Sequence, residues 1–163
     1  LLDEVGKDAA RYFFINRKPS AHLDFDLELA KKKSSENPVF YCQYAFARIN
    51  SILKKAKKAK LSLKKFDEKN LSKLNKADEL NLIKKMMDIN SVLNLCADNR
   101  EPHRLAAYVH ELAGMFHKYY AKYKIIDEGK TELSLARLYL ISAVQNVISI
   151  SLDMMGISSP KKM

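Results

Sequence analysis

Apolar positions along this chain recur at helical spacing, and no stretch shows the strict alternation of a half-buried strand. At roughly 100° per residue, Cys42, Phe46, Ile49, Leu53 and Ala56 form one stripe over 39–60. Over 78–97 the stripe is Leu82, Met86, Ile89, Leu93 and Cys96. From Pro102 to about Lys122 it is Leu105, Val109, Leu112, Phe116 and Tyr119. The segment 131–155 is apolar nearly all round (Leu133, Leu140, Ile141, Val144, Val147, Ile148, Leu152, Met154), which predicts a central position, and Gly156 is expected to end it. Asn37 and Pro38 make an N-cap and a first helical residue. Ahead of them, 3–17 reads as a short amphipathic helix, 22–26 as extended, and 27–33 as a short helix capped by Asp26. Between 61 and 77 the pattern fades, and a loop with room for one helical turn is expected. The prediction is an all-α fold: a helical bundle of four long helices plus short N-terminal helices. Four Gly and four Pro are too few for a turn-rich β fold.

The 163 residues suffice for one core. Their formal charge of +10 and pI near 9.5 favour a polyanionic partner, nucleic acid or an anionic membrane surface, although the excess of lysine also fits a bias in residue usage. Lys54, Lys55, Lys57 and Lys58 lie in the densest basic run (54–65), readable as non-specific phosphate contacts or as a solvated helix end. Cys42 and Cys96 sit within helical patterns without CxxC spacing, which predicts buried, reduced thiols and a cytosolic location. No apolar run is read as reaching the roughly 20 residues that span a bilayer, and no signal peptide is seen. Because it opens on Leu1, the chain is expected to be part of a longer polypeptide.

Catalytic signatures are missing: there is no GxxxxGK(S/T), GxGxxG, HExxH or GxSxG. His103, His110 and His117 share a helix face, but seven residues of helix rise about 10 Å, too far for one metal ion, so a solvated polar face is expected. Tyr44 and Arg48, four residues apart, lie round the helix from its core stripe with Tyr41 near them. An aromatic and a guanidinium displayed together can stack a base and hold a phosphate, or simply form an exposed pair. Phe116 and Tyr120 are a second aromatic pair, in which mid-stripe Phe116 reads as core. Arg137, on an apolar stripe, is expected to anchor a buried ion pair or a helix contact rather than to touch a ligand.

The stretch ENPVFYCQYAFARI (36–49) resembles the ENPVYYVQYAHARI signature that opens the anticodon-binding domain of arginyl-tRNA synthetases. EPHRLAAYVHELAGMFHKYY (101–120) resembles that family's penultimate long helix. ARLYLISAVQNVISISLDMMGISSPKKM (136–163) resembles its last helix and Met-terminated tail, and 1–30 resembles the close of its catalytic half. The resemblance implies two regions, 1–35 ending the catalytic part and 36–163 forming the anticodon-binding bundle. It implies tRNA(Arg) as partner, a mostly monomeric parent that charges it with arginine using ATP, and no cofactor or catalytic residue in this stretch, where HIGH and KMSKS-type motifs are absent. The contacts it implies are Tyr44, Arg48, Phe116, Tyr120 and Met163. Phe46 departs from the usual histidine. Two other readings stay open: the similar domain of another class I-type synthetase, and a basic helical bundle that binds proteins.

Overall fold

Asn37 shows how the chain enters the bundle. Its Oδ1 accepts from the Val39 amide at 3.2 Å, starting the helix, while its Nδ2 donates to the carbonyls of Ala30 (3.0 Å) and Lys32 (2.9 Å), closing the helix before. The computed structural model describes residues 1–18, 21–22, 24–61, 63 and 67–163. The helices are α1 (Leu2–Ile15), α2 (Leu27–Lys31), α3 (Pro38–Lys58), α4 (Ala77–Met87), α5 (Ile89–Asn99), α6 (His103–Lys122) and α7 (Thr131–Met154), with a 3₁₀ turn at Glu68–Lys73. No strand is present among the described residues. The expected extended segment 22–26 and the basic run 54–65 each fall partly outside them.

The core is one continuous cluster in which α3, α6 and α7 pack against each other and α4 closes one side. Phe116, Ile49, Leu112, Leu138, Ile141, Ile148 and Leu152 are fully buried in it. Tyr12 of α1, 1% exposed, belongs to the same cluster and donates its hydroxyl to the Ala106 carbonyl of α6 at 3.2 Å. Cys42 is buried, and burial pushes its thiol up to about 12. Cys96, expected buried, is only half-covered, because α5 lies at the edge and no residue of it is fully buried.

Several expectations need correction. The helix predicted over 78–97 divides at Asp88 into α4 and α5. The Lys85 carbonyl near the break accepts from the Asp88 amide and, at 2.9 Å, from the hydroxyl of Tyr108 on α6, so a tertiary bond helps satisfy an acceptor at the helix end. The bundle therefore has three long helices and a broken fourth. The N-terminal helix is interrupted at Gly6, whose φ of 79° lies in the left-handed region. Phe13 and Phe25 are half-buried, with ring centres 5.3 Å apart, whereas Phe14 stays exposed.

α7 is less enclosed than its composition predicts, since Ile150 and Met154 remain exposed. It is also, contrary to expectation, long and apolar enough to cross a bilayer. In the fold 56% of that stretch is buried within the bundle, and its Arg137 is committed to a partner there, which accounts for its apolar character. Arg137 Nε donates to Glu79 Oε1 of α4 at 2.8 Å, and Nη1 to the Lys124 carbonyl at 2.9 Å. Glu79, 0% exposed, also accepts from the Tyr119 hydroxyl at 3.1 Å and from the Lys76 amide at 3.1 Å.

The three histidines are not a solvated row. α3 covers that side of α6, so the Tyr41 ring lies 5.2 Å from His110 and 4.5 Å from His117, and only His110 is exposed. Burial holds both His110 and His117 below the ordinary value of 6.5, with Arg48 adding a smaller push on His117.

Two measurements check these packing arrangements. Glu79→Ala should cost about 3–5 kcal/mol in urea unfolding because it strands Arg137, while Glu79→Leu combined with Arg137→Met should cost far less than the sum of the singles; additive losses would count against a coupled pair. Because the folded-state histidine pKa values are depressed, the unfolded chain binds protons more readily. Their stabilising contribution is complete above about pH 6.5 and is lost as pH falls through the folded values. The melting temperature should thus fall as the pH is lowered below about 6.5, and His117→Gln should shallow that fall.

Candidate nucleic-acid interface

Tyr44, Arg48 and Lys55 follow one another at intervals of four and seven residues, so α3 presents them along a single edge. That edge faces α6. The Arg48 guanidinium carbon lies 4.4 Å from the Tyr44 ring centre and 5.1 Å from that of Tyr120, placing the cation between a tyrosine of each helix. Arg48 Nη2 also donates to the Tyr44 hydroxyl. Tyr44, Arg48 and Tyr120 are half-buried: oriented by their neighbours, yet open on one side.

The C-terminal tail completes the site. After α7 the chain runs back beside α3, where Asn50 Nδ2 donates to the Lys161 carbonyl at 2.7 Å. Met163, 45% exposed, then sits at the mouth of a cavity of about 270 Å³ lined by Tyr44, Arg48, Lys55, Tyr120 and Lys162 among others. Four of the five residues expected at the site, Tyr44, Arg48, Tyr120 and Met163, therefore meet around one hollow although 119 residues separate the first from the last in sequence.

Phe116 is the exception. It is 0% exposed and offers no face to a ligand, so as a direct contact it is corrected to a support: its ring stacks behind Tyr120 at 6.1 Å. Mid-stripe periodicity had indicated this burial. Of the four lysines, Lys55 alone lines the hollow; Lys54, Lys57 and Lys58 are exposed away from it towards the end of α3.

Tyr44 and Arg48 also border a second hollow of about 330 Å³, formed with Ser35, Phe40, Tyr41 and His117. Here Tyr44 stacks on Phe40 at 6.0 Å and on His117 at 5.8 Å, and His117 Nε2 lies 3.3 Å from the Tyr41 carbonyl. Sequence reasoning missed Phe40, His117, Asn50 and Lys162. No spacing rule ties a residue of α6 or of the tail to the edge of α3.

Flat aromatic faces, a planar cation and a rim of lysines suit an unpaired nucleotide: rings stack its base, and Arg48 and the lysines meet its phosphates. The larger hollow beside the start of α7, about 610 Å³, has no aromatic face; its Lys73 is paired with Glu132 and its Arg137 with Glu79. Among the described residues, no group of His, Cys, Asp and Glu is arranged to hold a metal ion.

Several known proteins are similar to this chain. An arginine–tRNA ligase of Geobacter metallireducens is 46% identical over all 163 residues, and one of Desulforamulus reducens is 44% identical over the same length. This chain spans 29% of either relative. The arginyl-tRNA synthetase of Thermus thermophilus superposes with a TM-score of 0.79 at 28% identity, covering 98% of this chain and 27% of that one. Residues 42–163 match the model of the DALR anticodon binding domain, a stretch that holds Tyr44, Arg48, Tyr120 and Met163 together with most of the three long helices that place them. The chain belongs to the DALR anticodon binding domain family.

Proposed function

We propose that this chain reads the anticodon loop of tRNA(Arg) as one part of a longer, cytosolic and monomeric arginine–tRNA ligase. In that protein the ATP-dependent attachment of arginine belongs to regions outside these 163 residues. The observation carrying the reading is the hollow in which α3, α6 and the C-terminus bring Tyr44, Arg48, Tyr120 and Met163 together.

Every arginine codon has G at its centre, so every arginine anticodon has C there. One splayed cytosine is then a sufficient common mark. The base stacks over the Tyr44–Arg48 face, Tyr120 closes the other side, and Met163 lies beside the base edge. The lysines towards the end of α3 add attraction to the phosphate backbone without regard to sequence.

With an anticodon stem-loop as ligand, Tyr44→Ala and Arg48→Ala should each weaken binding by about 1–3 kcal/mol, the worth of a stacked base. Exchanging the central C for U should cost wild-type a comparable amount and the Arg48→Ala chain much less. Unchanged affinity in both variants would remove the reading. Replacing Lys54, Lys57 and Lys58 with Gln should instead weaken all RNAs alike and reduce the magnitude of the slope of log K against log salt, by about one for each phosphate no longer neutralised.

A further inference from the structure

The hollow depends on where Met163 lies, and seven residues separate it from Gly156 at the end of α7. A non-helical segment of that length is held in place only where it is tied down. The ties come largely from α1, which lies outside the stretch matched by the family model. Arg11 Nε donates to the Met155 carbonyl at 2.8 Å, and the same guanidinium packs against Gly156, whose φ of 68° turns the chain out of α7. A Cβ on Gly156 would sit 2.6 Å from Arg11 Nε, so a larger residue would displace the guanidinium as well as strain a turn whose positive φ favours glycine. Ile157, 3% exposed, then plugs into the core.

Asp8 makes the next tie. Its Oδ1 accepts from the Ser158 amide at 3.2 Å, and its Oδ2 accepts from the Ser158 hydroxyl and, at 2.8 Å, from Gln43 Nε2 of α3. Gln43, 8% exposed, also donates to the Ser158 carbonyl at 3.0 Å. One carboxylate thus gathers three donors from the tail and from α3, the kind of charge-assisted set that holds a segment in one place. The next fixed point, Asn50 on the Lys161 carbonyl, lies two turns further along α3, towards Arg48 and Lys55.

We propose that Asp8 is a positioning residue for RNA recognition: through Ser158 and Gln43 it lays the C-terminal tail along α3 and so sets Met163 at the hollow. This rests on the anticodon-loop reading above, but the latch itself can be measured without RNA. A helix preceding the family's domain is then mechanically part of its binding site. Movement of α1 would be felt at the nucleotide through the tail.

Amide hydrogen exchange on the full chain reads the latch directly. In Asp8→Ala the Ser158 amide should exchange at least about tenfold faster. The Ile157 amide, which donates to the Leu152 carbonyl at 2.9 Å inside the helix-ending turn, should keep its protection. Equal exchange of Ser158 in variant and wild type overturns the proposal, and so does loss of protection at both amides, which would mark Asp8 as a general support of the fold. Stem-loop binding reads the consequence. Asp8→Ala should lose about as much affinity as removal of residues 159–163, and the combined variant should lose no more than either alone. Additive losses overturn the positioning role. If Ser158 loosens as stated while Tyr44→Ala leaves RNA binding intact, the latch stands and the anticodon-loop reading fails.

Discussion

A carboxylate with no solvent exposure survives in a protein core only when it is paired with a cation and hydrogen-bonded, and the arrangement around Glu79 follows from that requirement. Arg137 of α7, Tyr119 of α6 and the Lys76 amide at the start of α4 converge on its two oxygens. Three helices that apolar packing alone would let slide are thereby held in one register. Hydrophobic burial supplies most of the stabilisation, since the long stripes of α3, α6 and α7 enclose each other. The ion pair decides which rotation of each helix is kept.

That rotation reaches the binding site through adjacent residues. With Tyr119 turned inward to Glu79, its neighbour Tyr120 is rotated by about 100° and comes round towards α3. There it meets Arg48 at 5.1 Å, with Phe116 filling the space behind it. His117, on the same exposed-to-buried boundary, takes the other side of Tyr44. The two hollows on either side of the Tyr44–Arg48 pair are a consequence of α6 being seated correctly, and the buried charge seats it. Core and site are one mechanical object.

The two chain ends contribute differently. α1 adds Tyr12 to the core and two polar ties to the tail, while the tail brings a terminal residue to a surface prepared by α3 and α6. The site needs that tail to be held, and the contacts of Asp8, Arg11, Gln43 and Asn50 are where the holding occurs.

Local rules were enough to read the all-helical class, the Asn37–Pro38 start, the Gly156 stop, the core stripe of α6 and the burial of Arg137, because each depends on residues within a few turns of one another. The resemblance of 36–49, 101–120 and 136–163 to arginyl-tRNA synthetases pointed to Tyr44, Arg48, Tyr120 and Met163. Other features lay beyond local reach. The break at Asp88 depends on which neighbours α4 and α5 pack against, and on the Tyr108 hydroxyl arriving from α6. Glu79 looks like any first-turn acidic residue until Arg137 is folded beside it. Pairing His117 with Tyr41 and tying Ser158 to Asp8 join positions up to 150 residues apart, and helical periodicity has no term for such distances. What the chain encodes locally is the face each helix offers; which faces meet is decided only when all of them compete for the same core.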